Sequence, residues 1–227
     1  MFKTSAIIWK PAYRIVPTRF PSIYLYDRVA NQQDFDALNQ LEAMTNPRLR
    51  DEIGELALVP EVDRLFGAGS GPIMAAFTHL NPAGSRFSDG TYGVFYAAKE
   101  RDTAIAETRY HSTLFLSATK ENPLYLQMRL YQVNVQGDVV DLHSYSKKHA
   151  DILASDSYAA SQAVAKKIRD TASNGIVYPS VRHKDGSCVA ALKTGILKNC
   201  RHSAYLEYHW DGSQINYVTE LKNSFQL

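Results

Sequence analysis

The sequence predicts an α+β protein built on a mixed, mainly antiparallel sheet, and three observations carry that reading. Strand-like and helix-like segments are interleaved along the 227 residues without the regular β–α–β alternation of a doubly wound fold. The chain ends on a hairpin pattern, Ser203 to His209 and Gln214 to Val218, joined by Trp210-Asp211-Gly212-Ser213. Hydrophobic residues make up 45% and charged residues 21%, enough to build a sizeable core.

Ala6 to Val16 reads as a strand ahead of Pro17. Asp34 to Met44 places Phe35, Leu38 and Leu41 at helical spacing and is stopped by Asn46-Pro47. Glu52 to Val59, Glu61 to Phe66 and Pro72 to Leu80 read as short helical pieces, with Gly67 to Pro72 a loop between the last two. That loop is a candidate boundary, but neither half reads as burying a core alone. One domain over residues 1–227 is expected, with a helical insertion or extension at 31–80 and a motif-bearing region at 84–192. Thr91 to Ala97 is a strand by its β-branched and aromatic content. Asp102 is placed to cap a helix from Thr103 to about Leu114. Leu124 to Val135 alternates as a long strand, and Val139 to Leu142 is a second, short one. Ser155 or Asp156 caps a helix with the stripe Ala160, Val164, Ile168, ended by Asn174-Gly175. Gly175 to Tyr178 and Ser187 to Leu192 are strands, and residues 203–219 form the closing hairpin.

The bulk properties exclude several classes. A formal net charge of +2 gives no sign of a nucleic-acid-binding surface. No apolar run approaches membrane-spanning length, and the first residues do not read as a signal peptide. Two cysteines, Cys188 and Cys200, read as reduced thiols in a cytoplasmic protein. The seven histidines show no ligand spacing, so no metal is expected.

The chemistry concentrates between Gly84 and His111. Arg86 lies in a loop rich in Gly and Ser, where its guanidinium fork suits a phosphate or diphosphate. Tyr96 ends the apolar strand that follows, and an aromatic face there can bound a ring. Glu107 lies beside the apolar stripe of the next helix, where a carboxylate is costly to bury without a partner or a function. Ser180 follows Tyr178-Pro179 at a strand end, outside any Gly-x-Ser-x-Gly elbow. Taken singly, each has a plainer reading: a solvated arginine, a sheet tyrosine, a surface-paired glutamate, a turn serine.

Taken together, the arginine loop, Val94-Phe95-Tyr96-Ala97-Ala98, Ala104-Ile105-Ala106-Glu107 and Gly175-Ile176-Val177-Tyr178-Pro179-Ser180 resemble the RES family, named for its Arg, Glu and Ser. A weaker echo lies at Tyr13-Arg14-Ile15. The resemblance implies an ADP-ribosyltransferase-like fold. It also implies a toxin of a bacterial toxin–antitoxin module that degrades NAD by phosphorolysis or hydrolysis of the nicotinamide–ribose bond. By position, Arg86, Glu107 and Ser180 match the family's catalytic residues and Tyr96 its strand tyrosine, while Arg14 and Arg19 are counterparts of an early basic residue that would bind substrate. NAD would be substrate, with inorganic phosphate a possible co-substrate and no resident cofactor. The partner implied is a helix-turn-helix antitoxin of the Xre type; a homo-oligomer stays open. The long segment 31–80 and the final hairpin depart from the compact family pattern and put the usual antitoxin docking in question. Two alternatives stand beside this reading: a toxin that transfers ADP-ribose to a protein, and a non-catalytic partner-binding domain.

Overall fold

The computed structural model describes residues 2–20, 22–43, 54–145 and 147–222. Seven strands form one mixed sheet in the order β1-β2-β5-β4-β3-β6-β7. They are β1 (Thr4–Pro17), β2 (Phe95–Ala98), β3 (Leu124–Asp141), β4 (Gly175–Pro179), β5 (Ser187–Ala191), β6 (Leu197–Trp210) and β7 (Ile215–Leu221). β3 organises the rest. Along one edge it pairs antiparallel with β1, from Thr4↔Val140 to Pro17↔Met128. Its other edge is shared, antiparallel with β6 over its first two thirds and parallel with β4 at Val140↔Ile176. β4 pairs with β5, β5 with β2, and β2 returns to β1 at Tyr13↔Ala98. Five strands therefore close a ring of pairings, which protects backbone groups that an open edge would expose. β7 extends the sheet from β6.

Alternation along the central strands feeds two cores. Val177, Val189 and Ala191 face one cluster, where Tyr26, Phe35, Ile73, Met74 and Phe77 cover them. Ile176, Tyr178, Cys188 and Ala190 face the other, with Phe87, Leu116, Ile152, Ile168 and Trp210. The helices on the first face are α1 (Leu25–Arg28), α2 (Gln32–Ala43) and α3 (Gly71–Thr78). Tyr26 and Phe35 stack at 5.3 Å and Phe66 leans on both, so this segment is held to the sheet by aromatic packing. On the second face lie α4 (Arg101–Thr119) and α5 (Ala159–Asp170).

The expected α+β class and mixed sheet are what the structure has. Several boundaries differ. The two strands expected over Leu124–Leu142 are one, β3, because β1 stays paired through Gln136, Gly137 and Asp138: Gly137 pairs with Ile7, and a Cβ there would meet Ile196 Cγ2 at 2.5 Å. α4 begins before Asp102 and runs to Thr119; its N-cap residue is Glu100, whose Oε2 accepts the Thr103 hydroxyl at 3.2 Å. α5 starts after Tyr158, not at Ser155 or Asp156, and the left-handed residue after it is Ala172 (φ 59°). Gly175 opens β4, where a Cβ would meet the Ala190 carbonyl oxygen at 2.7 Å. Leu56–Leu58 and Glu61–Asp63 are single 3₁₀ turns, and Met44, Glu52 and Ile53 lie outside the described residues.

Candidate active site

The Arg86 loop is a built support. Ser85 and Ser88 bridge each other, the Ser85 amide donating to the Ser88 carbonyl at 2.7 Å, and Gly84 (φ 73°) enters so tightly that a Cβ would meet that carbonyl at 2.6 Å. The Phe87 amide donates to Tyr96 Oη at 2.9 Å, and Tyr96 Oη shares a 2.8 Å bond with Ser85 Oγ. Gln162 Nε2 donates to the Ser85 and Ser88 carbonyls, and Tyr92 Oη to the Phe87 carbonyl. Phe87 is fully buried edge-on to Tyr178, ring centroids 4.8 Å apart. Arg86 is thereby aimed across the second face. It is only 9% exposed; Nη1 donates to the Ala154 carbonyl at 3.0 Å, and the guanidinium lies 4.7 Å from the Tyr158 ring centre. Among the described residues no carboxylate comes within 4.0 Å of it. A buried cation without a counter-ion is a place for an anion.

Glu107 and Ser180 meet opposite this loop. Ser180 Oγ donates to Glu107 Oε1 at 2.5 Å, and the Val181 amide donates to the same oxygen at 3.2 Å. The serine oxygen in turn accepts the Arg182 amide at 3.1 Å and the His183 amide at 3.0 Å. The turn after β4 is locked to the start of α4: His183 Nδ1 bonds Thr103 Oγ1 at 2.8 Å, and a Cβ on Gly186 would meet that hydroxyl at 2.6 Å. Both bonds to the carboxylate fall on Oε1, and among the described residues Oε2 has no hydrogen-bond partner. One carboxylate oxygen is therefore fixed and the other is open to a ligand.

Three further groups complete the surroundings. Arg182 Nη2 donates to the Ser155 carbonyl at 2.6 Å, its guanidinium sits 3.3 Å from the Tyr110 ring centre, and its buried Nε has no partner among the described residues. Burial raises the Tyr158 phenol, Arg86 and Arg182 pull it down, and Tyr110 and Glu107 push it up, so all four charged or phenolic groups lie in its electrostatic neighbourhood. At His111 desolvation comes first and lowers the imidazole; Glu107 opposes it, while Arg182 and Arg86 add to it, leaving the neutral ring favoured. Arg182, Tyr110 and Tyr158 carry no sequence motif. Their signal is convergence through the turn Ala150–Leu153 and its exit, which no period or spacing encodes.

The structure thus brings Arg86, Glu107 and Ser180 around one group of aromatic rings. Tyr96 lies behind the Arg86 loop: burial pushes its phenol up to about 12, and its hydroxyl is committed to Ser85 and Phe87. Arg14 is not brought to this group; its Nη1 donates to the Tyr96 carbonyl at 3.0 Å and its guanidinium lies over Phe95, where burial lowers its pKa. Arg19 is exposed and stacks on Phe115, eight residues along α4 from Glu107. Cys188 and Cys200 are free, buried thiols. No group of three or more His, Cys, Asp or Glu able to hold a metal ion occurs among the described residues, and no described helix is long and apolar enough to cross a membrane.

Comparison with known proteins meets this geometry. The RES domain model matches residues 61–211, a span that holds Arg86, Glu107, Ser180 and strands β2 to β6. The uncharacterized protein y4oC of Sinorhizobium fredii (strain NBRC 101917 / NGR234) is 30% identical over 207 residues, covering 90% of this chain and 84% of that protein. A chain of the M. tuberculosis MbcT–MbcA toxin–antitoxin complex aligns with a TM-score of 0.43 at 13% identity, covering 87% of this chain and 86% of that chain. With two thirds of its length matched by the domain model, the chain belongs to the RES-domain family.

Proposed function

We propose that this protein cleaves the bond between nicotinamide and ribose in NAD and so acts as the toxin of a bacterial toxin–antitoxin module. The observation that carries the reading is the Glu107 carboxylate, one oxygen pinned by Ser180 and Val181 and the other open, beside two guanidiniums without carboxylate partners among the described residues. Membership of the RES family supports it, since that family resembles the ADP-ribosyltransferases and its toxins consume NAD.

In this mechanism the diphosphate lies against Arg86 and Arg182, which replace its hydration with fixed charge. The nicotinamide end is bounded by Tyr110 and Tyr158. The C1′–N bond breaks with its electron pair passing to the ring nitrogen, so nicotinamide leaves neutral. The cationic ribose that remains faces Glu107 Oε2, as carboxylates face the oxocarbenium-like centre in glycoside hydrolysis. An oxygen of inorganic phosphate, or of water, then bonds C1′. Phosphate gives ADP-ribose 1″-phosphate directly; water gives ADP-ribose and releases one proton. The ring nitrogen is already cationic in NAD, so its departure needs no acid and no metal. Tyr96 acts through the loop, holding Arg86 in place. A helix-turn-helix antitoxin would cover the site in the cytoplasm.

The test is incubation of purified protein with NAD, with and without phosphate, following nicotinamide and the ribose product. Free ADP-ribose or its 1″-phosphate supports the proposal. Label carried on protein identifies transfer instead, and no nicotinamide release rejects catalysis.

A further inference from the structure

On the face of β5 opposite Cys188, a second chemical group is assembled. Asp141 ends β3, His143 follows two residues later, and Ser187 opens β5. His143 Nδ1 lies 2.9 Å from Asp141 Oδ1, and His143 Nε2 lies 3.0 Å from Ser187 Oγ. Asp141 is held from several sides: its Oδ1 also accepts the His143 amide at 2.9 Å, and its Oδ2 accepts the Ser5 hydroxyl at 3.1 Å. A carboxylate on Nδ1 fixes the tautomer that leaves Nε2 as acceptor, so the Ser187 hydroxyl donates to the imidazole. Nucleophile to base, and base to orienting acid, is the order in which a serine is activated, and it is recognised by geometry whatever the order along the chain.

Two members of the group, Asp141 and His143, line a cleft of about 390 Å³ together with Lys3, Ser144, Lys147 and Pro179. Pro179 is the register partner of Ser187, so the cleft borders the serine's position. Strand alternation sets this group apart from the Glu107 site: Tyr178 and Cys188 belong to the core on that side, while Val177 and Val189, in phase with Ser187, belong to the other.

We propose that Ser187, His143 and Asp141 form a second reactive centre, a serine nucleophile that hydrolyses carboxylic esters, with Lys3 and Lys147 favouring a negatively charged acyl group. Ser187 Oγ bonds the ester carbonyl carbon as its proton passes to His143 Nε2. The alkoxide leaves with that proton, giving the alcohol and an acyl-serine. Water, deprotonated by the same nitrogen, then releases the carboxylic acid and restores the serine. The two ammonium groups oppose the charge on the tetrahedral oxygen, and Asp141 steadies the imidazolium.

The test uses a fluorophosphonate probe, whose fluoride Ser187 would displace, with peptide mapping of the adduct. Hydrolysis of 4-nitrophenyl acetate and of the anionic mono-4-nitrophenyl succinate is followed in parallel. Expected are an adduct on Ser187, faster turnover of the succinate than of the acetate, and loss of both activities by about 100-fold or more in Ser187→Ala and His143→Gln. Glu107→Gln should label like the wild type, and Ser187→Ala should keep its melting temperature and its rate of NAD loss. The proposal is overturned if a folded Ser187→Ala protein hydrolyses the esters as fast as wild type, or if the adduct maps elsewhere.

Discussion

Ser180 donates its hydroxyl proton to Glu107 across 2.5 Å while its own oxygen accepts the amides of Arg182 and His183. The serine is a bridge: two backbone dipoles polarise it, and it passes that polarisation to one carboxylate oxygen. Ser180→Ala leaves Glu107 Oε1 with the Val181 amide alone. The expected result is a fall in the rate of nicotinamide release by about one order of magnitude or more with little change in KM, as for loss of a donor that orients a charge-stabilising group. Steady-state kinetics on a variant with an unchanged melting temperature check this.

Arg86 offers a planar fork, anchored at one nitrogen by Ala154 and lying over the Tyr158 ring. Lysine would keep the charge and lose both the fork and the stacking. Arg86→Lys should therefore raise KM for NAD, by about tenfold for each 1.4 kcal/mol of binding lost. Competition by inorganic diphosphate should weaken in the same variant. An unchanged KM would show that the anion lies elsewhere.

Tyr96 shows how the loop is held. Tyr96→Phe removes the acceptor of the Phe87 amide and the partner of Ser85 Oγ. An unsatisfied buried donor costs about 1–3 kcal/mol, so denaturant unfolding should show a loss of that size. Activity should fall with it, because Arg86 sits between the two loop residues released. A stable variant with full activity would sever the link between loop geometry and chemistry.

Asp141 predicts a pH dependence. Burial works against its carboxylate, but bonds from the His143 amide and ring and from Ser5 outweigh it and hold its pKa below the ordinary 3.8. A folded-state pKa below the unfolded one means that the unfolded chain binds the proton first. The stabilisation is full above 3.8 and is lost as pH falls through the folded value. Asp141→Asn should be less stable than wild type at neutral pH and should lose less stability on acidification. Urea unfolding at several pH values measures both; parallel stability curves for the two proteins would contradict the assignment.

Much of the candidate site is legible in the sequence because its anchors sit in local patterns. Arg86 lies in a Gly/Ser loop, Glu107 beside an apolar stripe, and Ser180 behind a proline at a strand end. What could not be read is contact at a distance. Tyr96 is the expected residue type at the expected strand end, yet its hydroxyl faces Ser85 and Phe87, nine to eleven residues earlier, and not the open side. Arg182 and Tyr158 matter because no carboxylate among the described residues answers the guanidiniums, and a missing partner leaves no mark in a sequence. The fold was misread where local chemistry was overruled by neighbours. Gly137-Asp138 has the composition of a turn, but the continuous pairing with β1 carries β3 through it. Asn174-Gly175 has the form of a helix end, but Ala172 takes the left-handed position and Gly175 is needed where β4 passes close to Ala190.

Glu107 is the group proposed to face the ribose when nicotinamide departs. Its most direct test is the initial rate of nicotinamide release from NAD by wild-type protein and by Glu107→Gln, which keeps shape and hydrogen-bonding capacity but not charge. A drop of about 100-fold or more in the folded variant is predicted. Release at the wild-type rate would contradict it.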